Sequence, residues 1–241
     1  MGNDRDDQRP VPANRQSAEV SAFLEQVARL PVRVRPASAK ARLMFAMDAT
    51  ASREPTWDRA CRIQGEMFEA ASGLGGIEIQ LVYYRGYAEC KASSWLRTAN
   101  ELHDAMRVVG CVAGETQIER VLRHAIAAAR DDRLDALVFV GDAMEENPDA
   151  LARLAGELAL LNVPAFVFHE GNDPVVARVF REIARLSRGA YCPFDSTSAT
   201  ELKTLLGAVA AYAAGGRQAL VDYGRKAGGG ALLLARQIGG S

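Results

Sequence analysis

Apolar positions along this chain switch repeatedly between two periods. Val20, Phe23, Leu24, Val27 and Leu30 recur at helical spacing behind a capping Ser17, which predicts a short amphipathic helix over 17–30. Pro31 and Pro36 then mark a linker. A run from Arg42 to Met47 reads as a buried strand, and a helix is expected from about Glu54 to Ser72, stopped by Gly73, Gly75 and Gly76. Ile77–Tyr84 and Glu89–Leu96 read as strands. Only Arg85 to Ala88 lies between them, too few residues for a crossover, so the pair must be antiparallel.

Further along, helical turns around Asn100–Val109 lead to the loop GCVAGE. A helix follows in TQIERVLRHAIAAAR, with Ile118, Val121, Leu122, Ala125, Ile126 and Ala129 on its apolar face. ALVFVGD (136–142) is almost continuously apolar, as expected of a strand covered on both faces. A helix to Asn162, the strand PAFVFHE, the helix PVVARVFREIARLSRG, the short strand YCPF and the long helix SATELKTLLGAVAAYAAG complete the alternation. The pattern predicts a three-layer α/β/α Rossmann-like sheet, doubly wound and mostly parallel, with one antiparallel edge strand. It predicts a disordered stretch over 1–16, a helix and linker over 17–40, the domain itself over 41–214, and a tail over 215–241. The tail carries the apolar segment ALLLARQI behind Gly228–Gly230.

Composition narrows the function classes. A formal charge of −1 over 241 residues offers no global field for nucleic acid. No apolar run approaches the roughly 20 residues that span a bilayer. The polar, charged N-terminus does not read as a secretory leader. Cys61, Cys90, Cys111 and Cys192 form no CxxC pair, and His103, His124 and His169 add no zinc-like spacing. Reduced thiols without a leader point to the cytoplasm.

The candidate chemistry lies at strand ends. Asp48 closes the first strand and is followed by hydroxyls at alternate positions, Thr50 and Ser52. Asp142 closes LVFVGD, and Thr116 opens the helix before that strand. In a doubly wound sheet, such ends meet where ligands bind. Each residue also has a plainer reading. Ser52 suits a helix cap, Thr116-Gln117-Ile118-Glu119 spells a capping box, and Asp142 suits a turn. Together, two carboxylates and three hydroxyls form an all-oxygen donor set of the kind Mg²⁺ prefers. Glu145 and Glu146, just after Asp142, are expected to add negative charge nearby.

Asp48-x-Thr50-x-Ser52, then GETQIERVL, then LVFVGD resembles the von Willebrand factor type A (VWA) domain over about Ala41–Ala214. The resemblance is to intracellular bacterial members with a metal-ion-dependent adhesion site (MIDAS). It implies that Thr50 and Ser52 ligate Mg²⁺ or Mn²⁺ directly. Thr116 would do so directly or through water, and Asp48 and Asp142 largely through waters. An acidic residue of a protein partner would complete the shell, so the domain would be an adaptor with no catalytic group. An ATPase or chaperone complex is the implied kind of partner. The sequence departs from the pattern in Thr50, where serine is commoner, and in Ala143, where glycine is frequent.

Two other readings stand beside this one. A metal-free scaffold of the same fold would use its helices or tail. A haloacid dehalogenase-like phosphohydrolase would use the Gly141-Asp142-Ala143-Met144-Glu145-Glu146 ending, but needs an aspartate where Thr50 stands. It also wants a lysine between Thr116 and Asp142, where none occurs. A nucleotide-binding loop is absent: no GxGxxG follows the first strand, and no GxxxxGK[ST] appears.

Overall fold

The computed structural model describes residues 40–54, 77–194 and 204–213, with scattered positions at 22, 23, 25–27, 29, 215, 219, 222 and 223. The expected disordered start (1–16), the linker, the helix to Ser72 with its glycine stop, and most of the tail lie outside the described residues.

Six strands form one sheet: β1 (Ala41–Asp48), β2 (Ile77–Arg85), β3 (Glu89–Leu96), β4 (Ala136–Gly141), β5 (Ala165–Glu170) and β6 (Ala190–Phe194). Their order is β3-β2-β1-β4-β5-β6. Every neighbouring pair is parallel except β2 with β3, the short-loop hairpin at one edge. Four helices are fully bounded: α1 (Ala99–Arg107), α2 (Ile118–Asp131), α3 (Pro148–Leu160) and α4 (Pro174–Leu186). Residues 204–213 are also helical and buried apart from the half-buried Thr204. The sheet is thus the expected doubly wound one. The order reverses beside β1, between β2 and β4, where crevices for ligands open.

Strict alternation along β1 splits the core in two. Leu43, Phe45 and Met47 face one layer with Val138, Val140, Phe166, Phe168, α1 and the helix 204–213. Phe23 joins that layer, its ring tilted 5.3 Å from Phe168. Met44 and Ala46 face the other layer, with Tyr84, Phe139, Val167 and α2 to α4. Asp48 is next in the Met44–Ala46 alternation. Period-2 geometry therefore turns a carboxylate toward the second layer at the end of the strand.

Helix starts differ from expectation in one place. The first helix after the hairpin is closed by a true capping box, Thr98 with Glu101. α2 is not: its N-cap is Gln117, which makes no side-chain cap bond. The Thr116–Glu119 box is therefore corrected. Glu119 pairs forward with Arg123 along the helix at 2.5 Å, and the acid at the helix start comes from elsewhere in the chain.

Candidate functional site

Registry places the site. Asp48 is paired with Tyr84 across β1 and β2. Met47 is paired with Val140 and Gly141 with His169. One row across the carboxyl edge therefore runs Tyr84, Asp48, Gly141, His169. Gly141 leaves that row without a side chain between Asp48 and His169, and a Cβ there would stand 2.9 Å from the Phe139 ring, which would have to shift.

Asp48 is wholly buried. Its Oδ1 accepts the Thr50 N–H at 2.7 Å and its Oδ2 accepts the Tyr84 hydroxyl at 3.0 Å. Burial raises its carboxyl above the usual range, and the negative charge of Asp142 adds to that rise. Tyr84 is pushed well above its ordinary value by burial and by Asp48. It stays a protonated donor at neutral pH.

Thr50 precedes a 3₁₀ turn over Ala51–Arg53. Its hydroxyl meets that of Ser52 at 3.1 Å. Among the described residues the Ser52 side chain makes that contact, and the helix it is expected to cap lies outside them. Thr116 is buried too. Its N–H donates to Glu145 Oε2 at 2.9 Å, and its Oγ1 accepts the Glu145 N–H at 3.0 Å. This reciprocal pair ties the loop before α2 to the loop that carries Asp142. Glu146 then reaches the helix start, taking the N–H groups of Ile118 at 2.9 Å and Glu119 at 2.7 Å. The two glutamates expected to add negative charge nearby are engaged by helix N–H groups and by Thr116, and the charge of Glu146 reaches Tyr84.

Asp142 is half-buried, and its Oδ1 is buried without a hydrogen-bond partner among the described residues. A buried, unpaired carboxylate oxygen costs free energy unless something positive meets it.

Arg53 supplies one positive charge. It is 1% exposed and pairs with Glu170 at the end of β5. Burial pulls its guanidinium below the ordinary value, while Asp142 and Asp48 pull it back up. Asp48 and Asp142 thus act on the same guanidinium that Glu170 pairs with, so the edge draws three carboxylates around Arg53. Sequence reasoning missed Arg53 and Tyr84. Tyr84 was legible only through registry with Asp48, and nothing in the pattern marks a buried arginine.

The donor set fits a small divalent ion. Cis ligands at the 2.0–2.1 Å of octahedral Mg²⁺ stand about 2.9 Å apart, close to the spacing of the Thr50 and Ser52 hydroxyls. Among the described residues, no group of three or more His, Cys, Asp or Glu is placed to hold a metal. Any ion here would depend on hydroxyls and water as much as on carboxylates.

Neighbouring groups make poor nucleophiles. Burial pushes the Cys111 thiol up to about 11. His169 is buried, with Nδ1 3.0 Å from the Tyr191 hydroxyl, and burial lowers it to about 4. His124 is half-buried, with its Nε2 3.0 Å from Gln80 Oε1.

Compared by sequence, the chain matches no protein-family model and no curated protein. Compared by structure, it is similar to the SpRpn10 VWA domain, with TM-score 0.57, 13% identity, and coverage of 70% of this chain and 94% of that one. It is similar to proximal thread matrix protein 1 from the mussel byssus with a zinc-occupied MIDAS motif, with TM-score 0.59, 12% identity, and coverage of 73% and 47%. The pilus adhesin SpaC from Lactobacillus rhamnosus GG gives TM-score 0.57 at 10% identity, covering 80% and 31%. The chain thus spans nearly all of the first and less than half of the other two. The fold is VWA-like.

Proposed function

We propose that this chain is a VWA-type interaction domain. In this reading Asp48, Thr50, Ser52, Thr116 and Asp142 hold a divalent cation, Mg²⁺ or Mn²⁺, and an acidic residue of a partner protein completes the site. The observation that carries it is Asp142 Oδ1, buried and without a hydrogen-bond partner among the described residues, at an edge that also gathers Asp48 and Glu170. A zinc-occupied MIDAS in a protein of similar fold supports a divalent ion at this position.

The residues divide the work. Thr50 and Ser52 present a hydroxyl pair to the ion. Both Asp48 oxygens accept a hydrogen bond from the protein, and this carboxylate meets the ion through bound water, as the family resemblance implies. Tyr84 and the Thr50 N–H fix its orientation. The Thr116–Glu145 pair sets the position of the Asp142 loop. When bound, the cation offers a coordination position to a carboxylate from outside.

We assign no catalytic group. The phosphohydrolase reading still lacks its second aspartate at Thr50 and its lysine. A cytoplasmic setting rests on the free thiols of Cys90, Cys111 and Cys192, the cysteines among the described residues. Among the described residues no helix is long and apolar enough to cross a membrane. A partner of the ATPase or chaperone kind rests on the family resemblance. Pull-down with an acidic peptide library, in Mn²⁺ and in EDTA, tests the reading. Capture that needs both the metal and Asp142 supports it. Capture that is equal in EDTA favours the metal-free scaffold.

A further inference from the structure

A second charged feature lies at the other end of the sheet, where α4 turns into β6. Arg29 from the N-terminal helix and Arg181, Arg185 and Arg188 line a groove of about 470 Å³ together with Tyr191. The volume is within the range of small-ligand sites. Every cation that lines it is arginine, whose planar fork matches an oxyanion through paired N–H donors.

The four guanidiniums are held in different ways. Arg29 pairs with Glu25 at 3.5 Å and Arg185 with Glu182 at 2.6 Å, each along its own helix. Arg181 lies over the Tyr191 ring, 4.7 Å from its centre. Stacking fixes the plane of its guanidinium and leaves the N–H edge available. Tyr191 is itself anchored, its hydroxyl 3.0 Å from His169 Nδ1. Arg188 sits in the left-handed region, with φ of 60°. Among the described residues no carboxylate pairs with Arg181 or Arg188. The groove therefore carries about two positive charges beyond its own carboxylates. The carboxyl end of α4 offsets only about half a charge, so complementing the helix dipole does not account for the surplus.

We infer that this groove binds a small phosphate monoester. A phosphoryl group carries about −1.5 to −2 at neutral pH, which balances the surplus. The groove exceeds the size of the phosphoryl group alone, which leaves room for an organic body. This site does not depend on the metal reading, because it uses none of its residues.

The test is calorimetric titration of the full chain with phenyl phosphate and with inorganic phosphate. EDTA is kept present so that no cation at the opposite edge can hold phosphate. Arg188→Gly is the first variant, since glycine suits a φ of 60°. It removes charge without straining the turn. Arg181→Lys keeps the charge and loses the fork and the stack. The expected result is binding of phenyl phosphate weakened about tenfold in Arg188→Gly, as for loss of one charge-assisted bond, and weakened also in Arg181→Lys. Equal binding of inorganic phosphate would support phosphoryl recognition and make the free ion the ligand. Absence of heat with either phosphate at millimolar concentration would overturn the inference. So would affinity unchanged in both variants, or polyglutamate or an oligonucleotide binding more tightly than phenyl phosphate.

Discussion

Arg53 is the residue on which the electrostatics of the carboxyl edge turn. It is buried against Glu170 and lies in the field of Asp48 and Asp142. Removing one partner of a buried ion pair commonly costs about 3–5 kcal/mol, because the other charge stays buried and unmet. Arg53→Gln should therefore destabilise the domain by roughly that amount in EDTA. Mn²⁺ should recover part of it by supplying the missing positive charge. Thermal melts in both conditions measure this, and a loss that Mn²⁺ does not touch would separate Arg53 from the site. His169 gives a pH dependence of known sign. Its folded value of about 4 lies below its ordinary 6.5. Unfolded chains thus take up a proton that the folded protein refuses, and stability falls as pH drops from about 6.5 to 4. The whole effect is roughly 3 kcal/mol. His124 is lowered by burial as well and adds in the same direction. His169→Leu should flatten the slope of urea stability between pH 7 and 5. An unchanged slope would show that His169 does not carry it.

At the scale of elements, α2 begins on an acid from 28 residues away in the chain. Glu146 takes the N–H groups of Ile118 and Glu119, the role a local capping residue fills elsewhere. Glu146→Ala should cost about 1–2 kcal/mol in urea denaturation, while Glu119→Ala should cost only the few tenths of an exposed helix pair. The reverse order would restore the local capping box. These two acids also show where sequence reading stops. TANE at Thr98–Glu101 and TQIE at Thr116–Glu119 carry the same Thr-x-x-Glu signature, yet only the first closes a box. Tertiary contact with the Asp142 loop draws the Thr116 hydroxyl away from the second. Strands and their alternation were legible because period 2 is local. The antiparallel edge was legible because a short turn permits nothing else. Asp48 and Asp142 were legible as strand ends. Tyr84, Arg53 and the engagement of Glu145 and Glu146 were not, because each depends on registry or on loops far apart in sequence.

Across the whole molecule, the sheet separates two charged ends. Its carboxyl edge gathers Asp48, Asp142 and Glu170 around one arginine. Beyond the far end of β6, arginines gather with too few acids. A nearly neutral chain thus carries opposite local fields, which net charge alone conceals. A divalent cation at the carboxyl edge can be sought by calorimetric titration of the full chain with Mn²⁺, beside Asp48→Asn and Asp142→Asn. One binding event is expected in the parent, lost or weakened by about tenfold or more in both variants, with circular dichroism unchanged. Absence of Mn²⁺ and Mg²⁺ binding in the parent, or equal binding in all three proteins, would contradict it.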